Sequence, residues 1–327
     1  NQNLDPQEGM LRMVAGMGTR AVDRSDADYP SLMSLDRPEA RPHSDADCSL
    51  RCRYCPMIKE EGKVMDEATA RKAVELLLSS ARPSVILQFF GGEALLRRSF
   101  VLEVMGEAKA MAARADRSLG FIVSTNGVSL DEELLDLLRA MRVKVEVSID
   151  GTREVHMKYR VGKDPAVCSY DSVRRITPAL LASGIPHDAI MVVNPGTVEA
   201  LSESFSHVAA LGYRRIQINH ALGVLWSKDQ MRAFAGQLHE IEKEHFSRSV
   251  RPGGLELVDL WSFRRPMLLN GELTVDFDGT ITFGNGFLVR TSTPGAFRAG
   301  HLDDMEGFDA YYVRRPDNDY LLEHTYP

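Results

Sequence analysis

The strongest constraint on the fold of this chain is an alternation that runs through its middle. Short apolar runs of strand length take turns with longer stretches whose apolar residues fall at helical spacing. Ser84 to Phe90 is a continuous apolar run of the kind expected for a strand buried on both faces. Before it, Ala68, Ala73, Leu76, Leu77 and Leu78 follow the acidic cap Asp66 and predict a helix. After it the spacing predicts a helix near Ser99 to Ala115, a strand at Phe121 to Thr125, a helix at Asp131 to Met141 and a strand at Val143 to Ile149. A helix near Ser172 to Ser183, a strand at Ala189 to Val193, a helix at Val198 to Leu211, a strand at Arg215 to Asn219 and a helix from Asp229 to about Phe246 complete the series. Such repeats imply a parallel sheet with right-handed crossovers. A further strand is expected just ahead of Cys48, although Pro42 and Ser44 to Asp47 are poor strand formers. Ligands of parallel sheets gather at the carboxyl ends of the strands, so the loops leaving those ends are where chemistry is expected.

Three of the four cysteines fall within Cys48-Ser49-Leu50-Arg51-Cys52-Arg53-Tyr54-Cys55. The loop can turn three thiolates toward one point and offers no fourth cysteine nearby, which leaves one coordination position open. Thiolates suit zinc or iron–sulfur clusters. A structural zinc site wants four closed protein ligands, and His43, the nearest candidate for a fourth, does not stand at a usual zinc spacing. Four cysteines are the rule for an electron-carrying [4Fe–4S] cluster, so three and a vacancy point to a cluster whose remaining iron binds something else. Composition narrows the rest. Lys+Arg 39 against Asp+Glu 46, net −7, gives no electrostatic footprint for nucleic acid. No apolar run approaches the roughly 18 residues of a membrane span, and the polar N-terminus lacks the apolar core of a signal peptide. Clustered cysteines of this kind read as metal ligands in a reducing compartment, the cytoplasm by default.

The Cys-x3-Cys-x2-Cys spacing with an aromatic residue, Tyr54, before the third cysteine resembles the signature of the radical S-adenosylmethionine (SAM) superfamily. Further elements stand in that family's order: Gly91-Gly92-Glu93 after the second strand, Ser124-Thr125-Asn126-Gly127 after the third, and Ser148-Ile149-Asp150-Gly151 after the fourth. Taken alone, each reads as an ordinary strand-ending turn. The resemblance implies a partial (β/α)6 barrel of the TIM type over residues 43–248, with a single [4Fe–4S] cluster on Cys48, Cys52 and Cys55 and SAM on the open iron. It implies that Tyr54 is among the cofactor-binding residues, that Gly91, Gly92 and Glu93 meet the SAM ammonium group, that Ser124, Asn126 and Ser148 line its methionine and ribose with Asp150 close by, and that Arg160 forks onto its carboxylate. Ala94 stands where the family often has proline, and Met157 where many relatives have aspartate. Asn194 is expected near adenine, His220 facing substrate, and Cys168 as a hydrogen-atom donor to a substrate radical, against plainer readings as structural residues.

Residues 1–42 read as an N-terminal extension and residues 249–327 as a C-terminal one. In the latter, Leu273 to Phe283 carries Asp278-Gly279 between alternating apolar runs, a β-hairpin signal. With Gly300-His301-Leu302-Asp303 it resembles the SPASM or twitch extension of peptide-modifying and dehydrogenating radical SAM enzymes, but Gly284-Asn285-Gly286 stands where those place a cysteine, and none follows Cys168. The expectation is therefore a hairpin without an auxiliary cluster, and redox-neutral chemistry on a peptide or small metabolite: epimerisation, rearrangement or decarboxylation. A flavodoxin- or ferredoxin-type electron donor is the usual partner in the family, and a peptide substrate would call for a separate leader-peptide-binding protein. The rival readings are a non-catalytic zinc-stabilised binding module and an iron–sulfur sensor or scaffold.

Overall fold

The computed structural model describes residues 9–14, 18–22, 48–55, 64–80, 83–221, 224–246, 254–258, 273–283 and 298–308. Strands β1 (Gly9–Val14) and β2 (Gly18–Val22) come first, followed by helix α1 (Glu67–Leu78), β3 (Ser84–Phe89), α2 (Arg98–Arg114) and β4 (Ser118–Thr125). Next are α3 (Glu132–Ala140), β5 (Val143–Ser148), α4 (Arg153–Tyr159), α5 (Ser169–Ala182), β6 (His187–Val193), α6 (Leu201–Ala210), β7 (Arg215–His220) and α7 (Lys228–Ile241). Strands β8 (Glu256–Leu257), β9 (Leu273–Asp276), β10 (Thr280–Phe283) and β11 (Arg298–His301) complete the order. Six strands, β1, β3, β4, β5, β6 and β7, run parallel side by side, with β8 added at one edge. This is the α/β partial barrel that the alternation and the resemblance implied.

The N-terminal stretch supplies the first of these strands, since β1 pairs in parallel with β3. The strand expected just ahead of Cys48, and His43, lie outside the described residues. The hairpin expected at Leu273 to Phe283 is present as β9 and β10, turning at Gly279 with φ +85, a backbone region that glycine enters without strain. It extends the sheet beyond β2. The short helix α4, in the connection between β5 and α5, is an addition to the elements that the apolar spacing predicts.

The period of two along each strand separates two environments. One set of side chains, Val85, Leu87 and Phe89 on β3, Val143, Val145 and Val147 on β5, and Ala189, Met191 and Val193 on β6, packs with the apolar faces of the helices into one core. The opposite set, facing the inside of the barrel, is largely polar: Gln88, Ser124, Glu146, Asp188 and Gln217. The run Ser84 to Phe90 is thus buried on both faces, as expected, but Gln88 interrupts its inner face. Ser124, Ser148, Ile190 and Val192 stay partly exposed although helices cover the other side of the sheet. The barrel therefore holds an open chamber.

At the amino ends of β5 to β8 the inner face is tied by charge. Lys144 Nζ lies 2.5 Å from Asp188 and 3.5 Å from Glu146, and Arg215 pairs with Asp188 at 2.7 Å and with Glu256 at 2.5 Å. Burial opposes charge on Asp188, but Lys144 and Arg215 outweigh it and hold its carboxyl below the usual range. Removing Asp188 takes from the largely buried Lys144 its nearest counter-charge, while Arg215 keeps Glu256 near the surface. Asp188→Asn is expected to cost about 3 kcal/mol in urea unfolding, and adding Lys144→Met to recover part of that loss; a single variant as stable as the parent would show the network to be superfluous.

Candidate active site

The cysteine loop is docked by the segment that follows α4. The backbone N–H of Arg51 donates to Val161 O (2.7 Å), that of Arg53 to Tyr159 O (2.8 Å) and that of Lys163 to Ser49 O (2.8 Å), with an antiparallel bridge between Leu50 and Gly162. Gly162 permits this. A Cβ there would fall 2.5 Å from Asp164 O and 2.6 Å from Val167 O, and backbone atoms cannot step aside. The loop turns back on itself where the Cys55 N–H meets Cys52 O at 3.0 Å. Cys48 is buried, and Cys52 and Cys55 are half-buried.

Asn126, leaving β4, holds the loop from the sheet side. Its Nδ2 reaches Ser49 Oγ at 3.1 Å and Cys48 Sγ at 3.7 Å, while the Leu50 N–H points to the same sulfur at 3.4 Å. Asn126 is in turn fixed by Glu93, whose Oε2 accepts its backbone N–H at 2.7 Å and whose Oε1 accepts the Thr125 hydroxyl at 2.7 Å and the Leu95 N–H at 3.3 Å. Thus the Gly-Gly-Glu turn and the Ser-Thr-Asn-Gly turn are clamped together by a carboxylate expected to serve a ligand. Gly91, at φ +130, and Gly92 remain partly exposed beside it. Ser124 faces the chamber but its hydroxyl is engaged, accepting from Gln88 Nε2 and donating to Glu146 Oε2, both at 2.7 Å. Ser148 is half-buried at the end of β5.

Arg160 and Asp150 meet in a buried, two-pronged pair, Nε to Oδ2 at 2.8 Å and Nη2 to Oδ1 at 3.0 Å. The fork expected on a cofactor carboxylate is placed on a protein carboxylate. Burial opposes charge on Arg160, but Asp150 more than compensates, so the guanidinium stays charged. Asp150 also accepts the Tyr54 hydroxyl at 2.8 Å and the Val192 N–H at 2.9 Å. Asn194, at the end of β6, is buried with its side-chain Nδ2 unpaired. His220, at the end of β7, is exposed to solvent yet enclosed enough that desolvation lowers its pKa. The Cys168 thiol caps no helix donor; it lies 3.6 Å from Met157 Sδ and 3.5 Å from Arg153 Nη2, among side chains of α4.

Two residues escaped the sequence reading. His156 is wholly buried, and burial lowers its pKa to about 4. Its Nδ1 accepts the Asp150 backbone N–H at 3.2 Å, so its proton sits on Nε2 and goes to Ser169 Oγ at 3.0 Å. Ser169 passes its own proton to Arg160 O at 2.9 Å. A lone histidine in a charged stretch carries no signal of such a role; only the fold brings Asp150 and Ser169 to its two nitrogens. Among the described residues, no three His, Cys, Asp or Glu side chains converge on a single metal ion.

A base whose folded pKa is depressed contributes stability above its unfolded value, near 6.5, and loses it as pH falls toward the folded value of about 4. His156 is expected to withdraw about 3 kcal/mol across that window. Unfolding midpoints of the parent should fall steeply between pH 6.5 and 4, and those of His156→Gln markedly less; parallel slopes would refute the assignment.

A profile of the Radical SAM superfamily matches residues 46–207. A serine-type anaerobic sulfatase-maturating enzyme of Bacteroides thetaiotaomicron is 33% identical over 163 residues, 47% of this chain and 39% of that protein. A cysteine-type anaerobic sulfatase-maturating enzyme of Clostridium perfringens is 23% identical over 256 residues, 74% of this chain and 63% of that one. The chain spans about half the length of the curated relatives it matches. Among solved structures, native anSMEcpe with bound AdoMet superimposes with a TM-score of 0.70 at 17% identity, over 85% of this chain and 79% of the other, which shows the shared fold.

Proposed function

The chain is a member of the radical SAM superfamily, and from that footing we propose that it is an enzyme holding one [4Fe–4S] cluster on Cys48, Cys52 and Cys55 and using SAM to abstract a hydrogen atom from its substrate. The observation that carries this reading is the docking of the three-thiol loop onto the carboxyl ends of the strands, through Asn126 on one side and Tyr54 on the other. The residues suit the group. Three soft donors sit in one short loop, and the Cys48 sulfur already receives two N–H donors, as a thiolate ligand would. A single zinc ion would instead need its donors gathered around one point. When bound, the cluster supplies the electron that cleaves SAM to a 5′-deoxyadenosyl radical.

The chain's own work is to bind, orient and exclude. The partly exposed glycine turn at Gly91 and Gly92 and the Glu93 carboxylate beside it suit an ammonium group, and the unpaired Asn194 Nδ2 suits a ring-nitrogen acceptor of adenine. Ser148 borders the chamber on the same side. Arg160 serves the SAM carboxylate only by sharing its guanidinium with Asp150. His220, at the end of β7 where desolvation lowers its pKa, is the residue this reading assigns to the substrate side. Cys168 supplies a hydrogen atom only if its loop delivers the thiol past Met157. Relatives named for maturing a sulfatase favour a protein or peptide substrate over a small metabolite. Gly284-Asn285-Gly286, standing where SPASM-type extensions place a cysteine, favours a redox-neutral outcome: epimerisation, rearrangement or decarboxylation. A flavodoxin- or ferredoxin-type protein is the electron donor of this reading.

Anaerobic reconstitution is expected to give about four iron and four sulfide per chain, lost when Cys48, Cys52 and Cys55 are all alanine. Dithionite and SAM should then yield 5′-deoxyadenosine. About eight iron would overturn the single-cluster reading, one zinc without iron would favour a zinc-stabilised module, and a cluster that never cleaves SAM would favour a sensor. Hydrogen bonds to cluster sulfurs raise the reduction potential, so Asn126→Leu is expected to shift the potential negative in a redox titration; an unmoved potential would remove Asn126 from this role.

A further inference from the structure

Asp150 offers four lone-pair positions, and the structure fills them all. Arg160 Nε and Nη2, the Tyr54 hydroxyl and the Val192 N–H each donate to it, at 2.8, 3.0, 2.8 and 2.9 Å. The residue is 5% exposed, so no water substitutes for any of these. A carboxylate so occupied has no acceptor left for a ligand. Among the described residues its hydrogen bond to the cysteine loop comes from Tyr54, which stands beside Cys55 and stacks obliquely on Tyr159 with ring centroids 6.0 Å apart. Tyr159 O also receives the Arg53 N–H, so Tyr54 and its neighbour are pinned by side chain and backbone together. Arg160 lies against the face of the Tyr54 ring, 5.4 Å from its centroid.

We propose that Asp150, oriented by Arg160, is a positioning residue for the iron–sulfur cluster, setting through the Tyr54 hydroxyl where Cys55 presents its thiolate. The assignment rests on the reading of Cys48, Cys52 and Cys55 as cluster ligands. It reassigns Asp150 and Tyr54 from the surroundings of SAM to the support of the loop. Backbone pairing with residues 159–163 fixes the loop as far as Arg53, the Cys55 N–H closes onto Cys52 O, and among the described residues Tyr54 supplies the side-chain anchor next to Cys55. Loss of the hydroxyl would then leave the fold intact and blur the geometry of the third ligand.

The test uses the full chain as Tyr54→Phe, Asp150→Asn and Asp150→Glu, each reconstituted anaerobically beside the parent. Iron and sulfide are counted, the reduced cluster is examined by electron paramagnetic resonance with and without SAM, and thermal midpoints are taken before reconstitution. Tyr54→Phe is expected to keep its midpoint yet hold at least twofold less iron and give a broadened, mixed resonance. Asp150→Asn should show the same spectral change, and Asp150→Glu should restore part of the parent signal. If Asp150→Asn does not fold, Tyr54→Phe decides alone. Parent-like loading and resonance in Tyr54→Phe would overturn the positioning role while leaving the cluster reading intact. A parent that takes up no iron would overturn the cluster reading and this assignment with it.

Discussion

Between the cysteine loop and the sheet lies a guanidinium with a single strong partner, and much of the surrounding geometry follows from that. Arg160 is 6% exposed and cannot shed its charge, so it must be met by an anion, and Asp150 meets it with both oxygens. The pair fixes the end of β5 against the turn after α4. That turn carries the edge on which the cysteine loop pairs. One buried charge thus sets the distance between a strand end and a loop that are about a hundred residues apart in sequence.

The loops at the carboxyl ends are joined to one another in the same manner. Glu93 closes onto Thr125 and Asn126, Asn126 onto Ser49 and Cys48, and Asp150 onto Val192. Glu93 and Asp150 each fix a neighbouring backbone N–H, and Asn126 fixes the side chains of Ser49 and Cys48. The rim of the barrel behaves as a connected polar ring in which the amino-end ion pairs around Asp188 have no part. This division leaves the chamber lined by groups whose orientation is already set.

How much of this was legible beforehand depended on how local the cause was. Strands from β3 to β7 and the helices α2, α3, α5 and α6 between them follow from the spacing of apolar residues, and the cysteine loop announces itself by composition. The hairpin at Asp278-Gly279 was equally plain, because its turn demands a positive φ. What the sequence did not disclose were partnerships across distance. Arg160 and Glu93 were expected to face a ligand because their chemistry suits one, yet nothing in a linear chain says that Asp150 or the Asn126 N–H reaches them first. His156 was silent for the same reason, and α4 because seven residues carry too little periodicity to declare a helix. β1 was missed because residues 1–42 hold only short apolar patches, and its partner β3 lies some seventy residues away.

The chain of donors from Asp150 through His156 and Ser169 to Arg160 O begins at a peptide N–H and ends at a peptide carbonyl. Proton conduction along such a file requires every member to reverse its bond, and an amide proton does not leave at neutral pH. The file is therefore an insulator. A buried histidine bonded to the backbone of Asp150 would ordinarily invite assignment as an acid or base, but here it belongs to a file whose two ends neither give up nor accept a proton.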